Sequence, residues 1–283
     1  MASQREIRRR IGAVRNIRQA TRAMQFVAAS KLKRAQDSAL AARPYAEKID
    51  EVLADVAAVL GDEDHPLLAR REGGPRWLVL FTTDRGFAGA LNANAIRTAQ
   101  REIVEGGGEI RLVTIGRKGR DAMRRFRVPL EATFEGFGDR PTFADVLATA
   151  RLISDAFVAD SVGRVDLVYS TFVSTLVQRA RVEQLLPIEP TQDLEGIPGR
   201  QFIFEPSAGA VLEQLLPRYV ATRIYRAVLE NLASEQSARM IAMKNATDNA
   251  GELIDDLTLT YNKVRQANIT REMIEIATGA QAT

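Results

Sequence analysis

A chain of 283 residues that is 46% hydrophobic and 27% charged has the composition of soluble globular proteins and material for one or two domains. It contains no cysteine and one histidine, which excludes disulfides, thiol nucleophiles, Cys-type zinc sites and the machinery of a histidine triad. No run of ~18 uncharged apolar residues occurs, so nothing in the sequence is suited to spanning a bilayer.

The formal charge of +3 is unevenly distributed. Residues 1–34 hold ten Lys/Arg against Glu6 alone, whereas residues 218–278 carry eight of each sign. A surface of one sign over so long a stretch points to an acidic partner. "MASQREIRRR" enters an amphipathic helix without an apolar signal core and reads as a cytosolic N-terminus. Over residues 3–59 a heptad follows, with Val14, Thr21, Ala28, Ala35, Ala42, Ile49 and Val56 in one row. Ile17, Met24, Lys31, Ser38, Tyr45, Val52 and Val59 form the row three residues later, a spacing that predicts a coiled-coil seam. The middle third, within "MQFVAASKLKRAQ", is small residues and one lysine, so the partner helix must approach closely there. Pro44 removes one backbone donor and marks a place for a bend. "GDEDHPLLARREGGP" (61–75) reads as a linker, with His65 in its polar part.

Residues 76–206 alternate differently. "WLVLFTT" (77–83), "IRLVTIG" (110–116), "VDLVYSTFV" (165–173), "ARVEQLLPI" (180–188) and "RQFIFEP" (200–206) predict strands, with helices at about 90–105, 117–126 and 142–160. Strands separated by helices argue for a parallel sheet with crossovers, and the last three strands, lacking helices between them, for an antiparallel edge. The result is a small Rossmann-like α/β domain. From 208 to 278 a single helical pattern runs on, with Ile224, Ala227, Ala238 and Ile241 in one stripe. Leu253, Leu257, Tyr261, Val264 and Ile274 continue it after a phase shift near 245. The predicted architecture is thus an N-terminal coiled-coil helix (1–60), a central α/β domain (76–206) and a C-terminal coiled-coil helix (208–283), with the two long helices antiparallel. At 1.5 Å per residue the helices measure roughly 85 and 105 Å. Levelled at their domain-side ends, paired residue numbers total about 267. Met24 then lies near Met243 and Ser3 near Val264, and everything beyond about 265 stands alone.

"TTDRGFAGALN" (82–92) joins strand to helix through Gly86 and Gly89, a turn type that can cradle phosphate at a helix N-terminus. Its spacing matches neither G-x-G-x-x-G nor a Walker loop, and "GRKGR" (116–120) likewise lacks the rest of a phosphate loop. The pair Asp255–Asp256 reads as helix solvation. No acid–base–nucleophile set emerges, so the chain alone is not expected to catalyse a reaction or to hold a metal or cofactor.

"IRRRIGAVRNIRQATRAMQFVAASKLKRAQ" followed by "RPYAEKI" resembles the N-terminal helix of the gamma subunit of bacterial F-type (rotary) ATP synthase. "TTDRGFAGALN" resembles that family's strand–turn–helix signature. "ASEQSARMIAMKNATDNAGELIDDLTLTYNKVRQANITREMIEIATGA" is similar to its C-terminal helix almost from end to end. Residues 93–205 match in layout more than in wording. Gln25–Phe26 stands where Glu-Met is usual, and Ala88 where some members have cysteine.

The resemblance implies a central-stalk rotor that transmits torque between a membrane ring of c subunits and a hexamer of alpha and beta subunits, with the epsilon subunit beside its α/β domain. It implies one copy per hetero-oligomer and a peripheral place on the cytoplasmic face of the bacterial membrane, with no insertion into it and no nucleic acid. By motif position, Met24, Lys31 and Arg239 are implied as coupling residues. Gln266 and Thr270 are implied as contacts with the catalytic ring, and Asp84, Arg85 and Ala88 as the turn facing the base of beta. Thinness of the basic helix then follows from a shared axial channel, and its charge from the acidic loop of the family's beta subunits. Two other classes account for part of the sequence. A basic-helix nucleic-acid-binding protein explains the charge of residues 1–34 but gives the small-residue seam no purpose. A Rossmann-type enzyme explains 76–206 but lacks a phosphate loop and has no use for the long helices.

Overall fold

A computed structural model describes residues 3–60, 65–71, 73–189, 205 and 207–281. Its elements are α1 (Gln4–Leu60), β1 (Arg76–Phe81), α2 (Leu91–Glu105), β2 (Ile110–Ile115), α3 (Arg117–Arg125), β3 (Leu130–Phe134), α4 (Phe143–Val158), β4 (Arg164–Phe172), β5 (Gln178–Leu186) and α5 (Ala208–Gln281). Long terminal helices and a central mixed sheet make this an α/β fold. The chain forms two compact units, Met1–Ala28 with Arg239–Thr283, and Ala29–Ala238.

In the larger unit the sheet has the order β3-β2-β1-β4-β5. All neighbours are parallel except β4 and β5, which form the antiparallel edge that the missing crossover helix predicts. β1, central and buried on both faces, is apolar nearly throughout, as a covered parallel strand requires. Leu78, Leu80 and Leu112 face Ala95 and Ala99 of α2 and Met123 of α3. Trp77, Val79, Phe81 and Leu167 project the other way, onto Ile153 and Phe157 of α4 and onto the long helices through Ile49, Leu53, Leu216 and Ile224. The period-two alternation of the strands thus decides which helices lie on which face.

Two charged clusters tie these layers together. Asp166 on β4 is fully buried; it accepts from Arg76 Nε at 2.5 Å and from Arg164 Nε at 2.9 Å. Arg76 continues to Glu102 at 2.8 Å. On the other face Arg223 of α5 pairs with Glu183 at 2.7 Å and reaches Asp50 of α1 at 3.8 Å, while the Tyr169 hydroxyl donates to Glu183 at 2.6 Å. Burial raises the Asp50 carboxyl above its ordinary range, with Arg223 opposing.

β3 has no counterpart among the strands expected from the sequence. It is an edge strand with no fully buried residue, and "LEATF" alternates too weakly to separate it from a loop. The strand expected at 200–206 lies outside the described residues except for Glu205. α1 continues through Pro44, and α5 through Pro217.

The first heptad row of α1 faces inward: Ala28, Ala35, Ile49 and Val56 are buried. The second row does not hold. Ile17 is 55% and Tyr45 49% exposed, and Ser38 is exposed as well. Leu32, Ala46 and Leu53 are buried instead, each four residues after a member of the first row. A heptad alternates steps of three and four, and the frame with the step of four seats Leu32 and Ala46 where the other would seat Lys31 and Tyr45. Val59 is outside the described side chains.

In the smaller unit Ile7, Ile11 and Val14 cluster with Ile254, Leu257, Tyr261 and Val264, so the helices run antiparallel. The hydroxyls of Thr21 and Thr247 meet at 2.8 Å, and this pair totals 268 against the expected 267. The α5 seam is Met243, Thr247, Ala250, Ile254, Leu257, Tyr261 and Val264. Leu253 and Ile274, expected on it, are 46% and 57% exposed. Counting backwards from Ile254 in steps of four and three gives the observed row; starting from Leu253 misses it by one residue.

This register makes a direct test possible in a cysteine-free chain. The double variant Thr21→Cys with Thr247→Cys is expected to form a disulfide under mild oxidation, since the two side-chain oxygens already touch. A shift of one helical turn would place the sulfurs out of reach, and thiol counting would then find both free.

Candidate functional site

The residues singled out from the sequence fall into two sets, one in each unit. In the smaller unit Met24 is half-buried and the seam residue Met243 is 5% exposed. Arg239 is half-buried at the start of this unit's part of α5. Gln266 and Thr270 lie one turn apart on α5, both exposed, and the Thr270 hydroxyl donates back to the Gln266 carbonyl at 2.9 Å. That bond uses the hydroxyl proton and leaves the oxygen open as an acceptor.

Beyond Val264 the seam runs out of partner residues on α1. Ile269, Met273 and Ile276 are 46%, 65% and 72% exposed, at spacings that place them along one stripe of α5. Together they form an exposed apolar stripe, the kind of surface that is a candidate interaction site. Sequence reasoning passed over this stripe although its signal was present: apolar residues recur at helical spacing where the opposing helix has ended.

The basic face of α1 is largely unneutralised. Of its ten cations in residues 1–34, Arg10 pairs with Glu6 and Lys33 with Asp37, each one turn away. Lys31 pairs with Asp139 at 2.5 Å. The other seven have no carboxylate within ion-pair distance among the described residues. Arg15, Arg18 and Arg22 line an open cleft with Ile254 at its side.

In the larger unit the turn after β1 is held from within. Asp84 Oδ1 accepts from the Arg117 amide at 3.0 Å and Oδ2 from the Gly136 amide at 3.0 Å, so one carboxylate braces the ends of three parallel strands. The Thr83 hydroxyl donates to the Arg85 carbonyl, closing the turn and leaving the Arg85 side chain exposed. Ala88 is only 2% exposed, packed with Leu91 and Ala238. Its methyl group does not face outward as the turn was expected to; Phe87, at 68% exposure and a φ of 64°, does. The structure therefore brings Lys31 and Asp84 to one loop, Gly136–Asp139.

Strand order and strand ends resemble those of a nucleotide-binding sheet, whose ligands lie outside the carboxyl ends of the strands. Here those ends are self-satisfied. The first three amides of α3 donate to Asp84 Oδ1, the Thr83 carbonyl and Thr82 Oγ1, leaving none for a phosphate. The cavity at this edge, beneath Val228 and Leu232 of α5, holds about 50 Å³, well short of the ~300 Å³ of the smallest usual ligand pockets. His65 is likewise engaged locally, where its Nδ1 accepts from the Leu67 amide at 3.1 Å and burial lowers its pKa. Among the described residues no helix is long and apolar enough to cross a membrane.

A family model described as ATP synthase matches residues 3–283. The ATP synthase gamma chain of Dehalococcoides mccartyi is 48% identical over 286 residues, spanning 100% of this chain and 99% of that one. The gamma chain of Acidithiobacillus ferrooxidans is 48% identical over 287 residues, spanning both chains completely. Among solved structures, a chain of the central stalk and c-ring of Tetrahymena thermophila mitochondrial ATP synthase superposes with a TM-score of 0.65 at 26% identity, covering 80% of this chain and 99% of that chain. A chain from Euglena gracilis mitochondrial ATP synthase superposes with a TM-score of 0.68 at 21% identity, over 99% of this chain and 94% of that one, which is a likeness of fold.

Proposed function

Because this chain belongs to the ATP synthase gamma family, we propose that it is the central-stalk rotor of a proton-translocating ATP synthase and carries torque between a membrane c-ring and an alpha/beta hexamer. The observation that best supports this reading is the division of labour on α1. Its small residues serve the pairing with α5, while seven of its cations have no internal counter-charge among the described residues. Such a helix suits a narrow channel lined by acidic loops. Exposed charge pairs there contribute only ~0–1 kcal/mol each, so they form and break without arresting a turning shaft.

The stripe Ile269, Met273 and Ile276, with Gln266 and Thr270 beside it, supplies the contact with the catalytic ring. Met24, Lys31 and Arg239 serve coupling, and the turn carrying Asp84, Arg85 and Ala88 faces the base of beta, with Arg85 and Phe87 as its outward side chains. An epsilon subunit packs against the α/β domain, and one copy of the chain works at the cytoplasmic face of a bacterial membrane without entering it. Catalysis belongs to the partner subunits. A nucleic-acid-binding role would leave the pairing of α1 with α5 without purpose.

Rotation itself is testable. Val104 on α2 is 82% exposed, and in a cysteine-free chain Val104→Cys gives a unique attachment point for a bead. With the chain assembled among alpha and beta subunits fixed to a surface, ATP is expected to drive the bead in one direction in discrete steps. A stationary bead on a complex that still hydrolyses ATP would reduce the chain to a static scaffold.

A further inference from the structure

Six residues between β3 and α4, "GFGDRP" (136–141), make contacts out of proportion to their length. Gly136 and Gly138 adopt positive φ of 80° and 67°, a conformation available to glycine at little cost, and this folds the loop back on itself. At its start the Gly136 amide donates to Asp84 Oδ2 at 3.0 Å. In its middle Asp139 Oδ2 receives the Lys31 ammonium of α1 at 2.5 Å. At its end the Pro141 carbonyl accepts from the Tyr225 hydroxyl of α5 at 3.3 Å, and Phe143 just beyond stacks edge-on against the Tyr225 ring with centroids 5.8 Å apart. One loop therefore touches the sheet's end, α1 and α5 at three separate points.

The Lys31 contact differs in kind from the other ion pairs on the basic helix. Arg10 and Lys33 pair within α1 itself, with both partners well exposed. The Lys31 side chain is 22% exposed, it lies three residues after buried Ala28 and four before buried Ala35, and its partner is 108 positions away along the chain. Such a pair resists relative movement of the two elements, whereas a pair within one helix does not.

We propose that the loop 136–141 is a strap through which the α/β domain grips the adjoining segments of both long helices, and that Asp139 is its positioning residue for torque transmission. The proposal rests on the rotor reading of the chain. Under load the domain and the helices must turn together. Asp84, Asp139 and Pro141 fix the strap to the sheet, α1 and α5 respectively, so twist applied at the sheet reaches both helices, at points separated along their length. Asp139 also holds the Lys31 charge against this chain, so that it is not offered to the surrounding subunits.

The test uses the complete ATP synthase carrying Asp139→Asn, Lys31→Asp and the exchanged pair Lys31→Asp with Asp139→Lys. In Asp139→Asn the loop amides are expected to exchange hydrogen about fivefold to tenfold faster, the change that follows from loosening a local contact. Protons pumped per ATP hydrolysed should fall while hydrolysis continues, and a bead on Val104→Cys should fluctuate over a wider angle in the stalled complex. The exchanged pair should recover all three properties together. A purely structural ion pair would change melting temperature without altering pumping per ATP, and that outcome overturns the proposal, as does unchanged loop exchange in Asp139→Asn. If the parent complex itself neither pumped nor turned, the rotor reading would fail first; failure confined to the variants concerns the strap alone.

Discussion

Asp166→Ala should lower the melting temperature of the chain by on the order of 10 °C. The carboxylate is fully buried between Arg76 and Arg164, in the middle of the sheet where β4 lies against β1. Removing it leaves the Arg76 guanidinium, only 16% exposed, with Glu102 as its remaining partner. Breaking a buried pair by deleting one member costs about 3–5 kcal/mol, because the other charge stays desolvated. Arg164→Ala serves as the control. Its side chain is 51% exposed, so water replaces what is lost, and a change of about 1 kcal/mol or less is expected. Comparable melting shifts in the two variants would mean that Asp166 gains little from its burial.

Gly116→Ala is expected to be more damaging still, with loss of soluble protein or destabilisation beyond about 3 kcal/mol. Gly116 sits between β2 and α3 at a φ of 99°, and a Cβ there would lie 2.2 Å from the Thr82 carbonyl oxygen. The obstacle is backbone, which cannot rotate away. Moving it would pull Thr82 from the Gly119 amide that its hydroxyl accepts at 2.8 Å, uncapping α3. Gly12→Ala should act in the opposite direction. It lies inside α1 with nothing within 4 Å of the added methyl, and exchanging a helix-interior glycine for alanine stabilises by up to ~1 kcal/mol. Thermal melts of the two variants should therefore move apart from the parent. A tolerated Gly116→Ala would mean that the strand-end turn is looser than its contacts indicate.

The large features of the fold are legible in the sequence because they rest on period and length. Strands of continuous apolar residues, helices between them and long heptads at the ends leave few arrangements open. The antiparallel register comes within one residue of the Thr21–Thr247 contact because both long helices meet the same domain. β3 is not legible, since an edge strand is only half covered and needs little hydrophobic alternation. The α1 seam departs from its expected frame for a related reason. When core positions are alanines, the apolar pattern hardly distinguishes a step of three from a step of four, and Leu32 and Leu53 are the only strong votes.

Of the residues with an expected functional role, most enter through resemblance, and their structural setting is not visible in the sequence. Nothing in "TTDRGFAGALN" indicates that Asp84 turns inward to two amides from distant turns, or that Ala88 packs against α5. The loop 136–141 is similarly silent: its glycines announce a turn, but the partners of Asp139 and Pro141 lie far away along the chain. The exposed stripe from Ile269 to Ile276 can be found by comparing the lengths of the two helices.

The inward-facing carboxylate of Asp84 has a consequence for the cell that houses the protein. In many sheets of this kind, a diffusible anion completes the amide cluster at the strand ends, and local rigidity then varies with its concentration. Here the counter-ion is covalently part of the chain, present at fixed stoichiometry and impossible to wash out. Occupancy of the Arg117 and Gly136 amides therefore does not depend on the concentration of phosphate or nucleotide in solution.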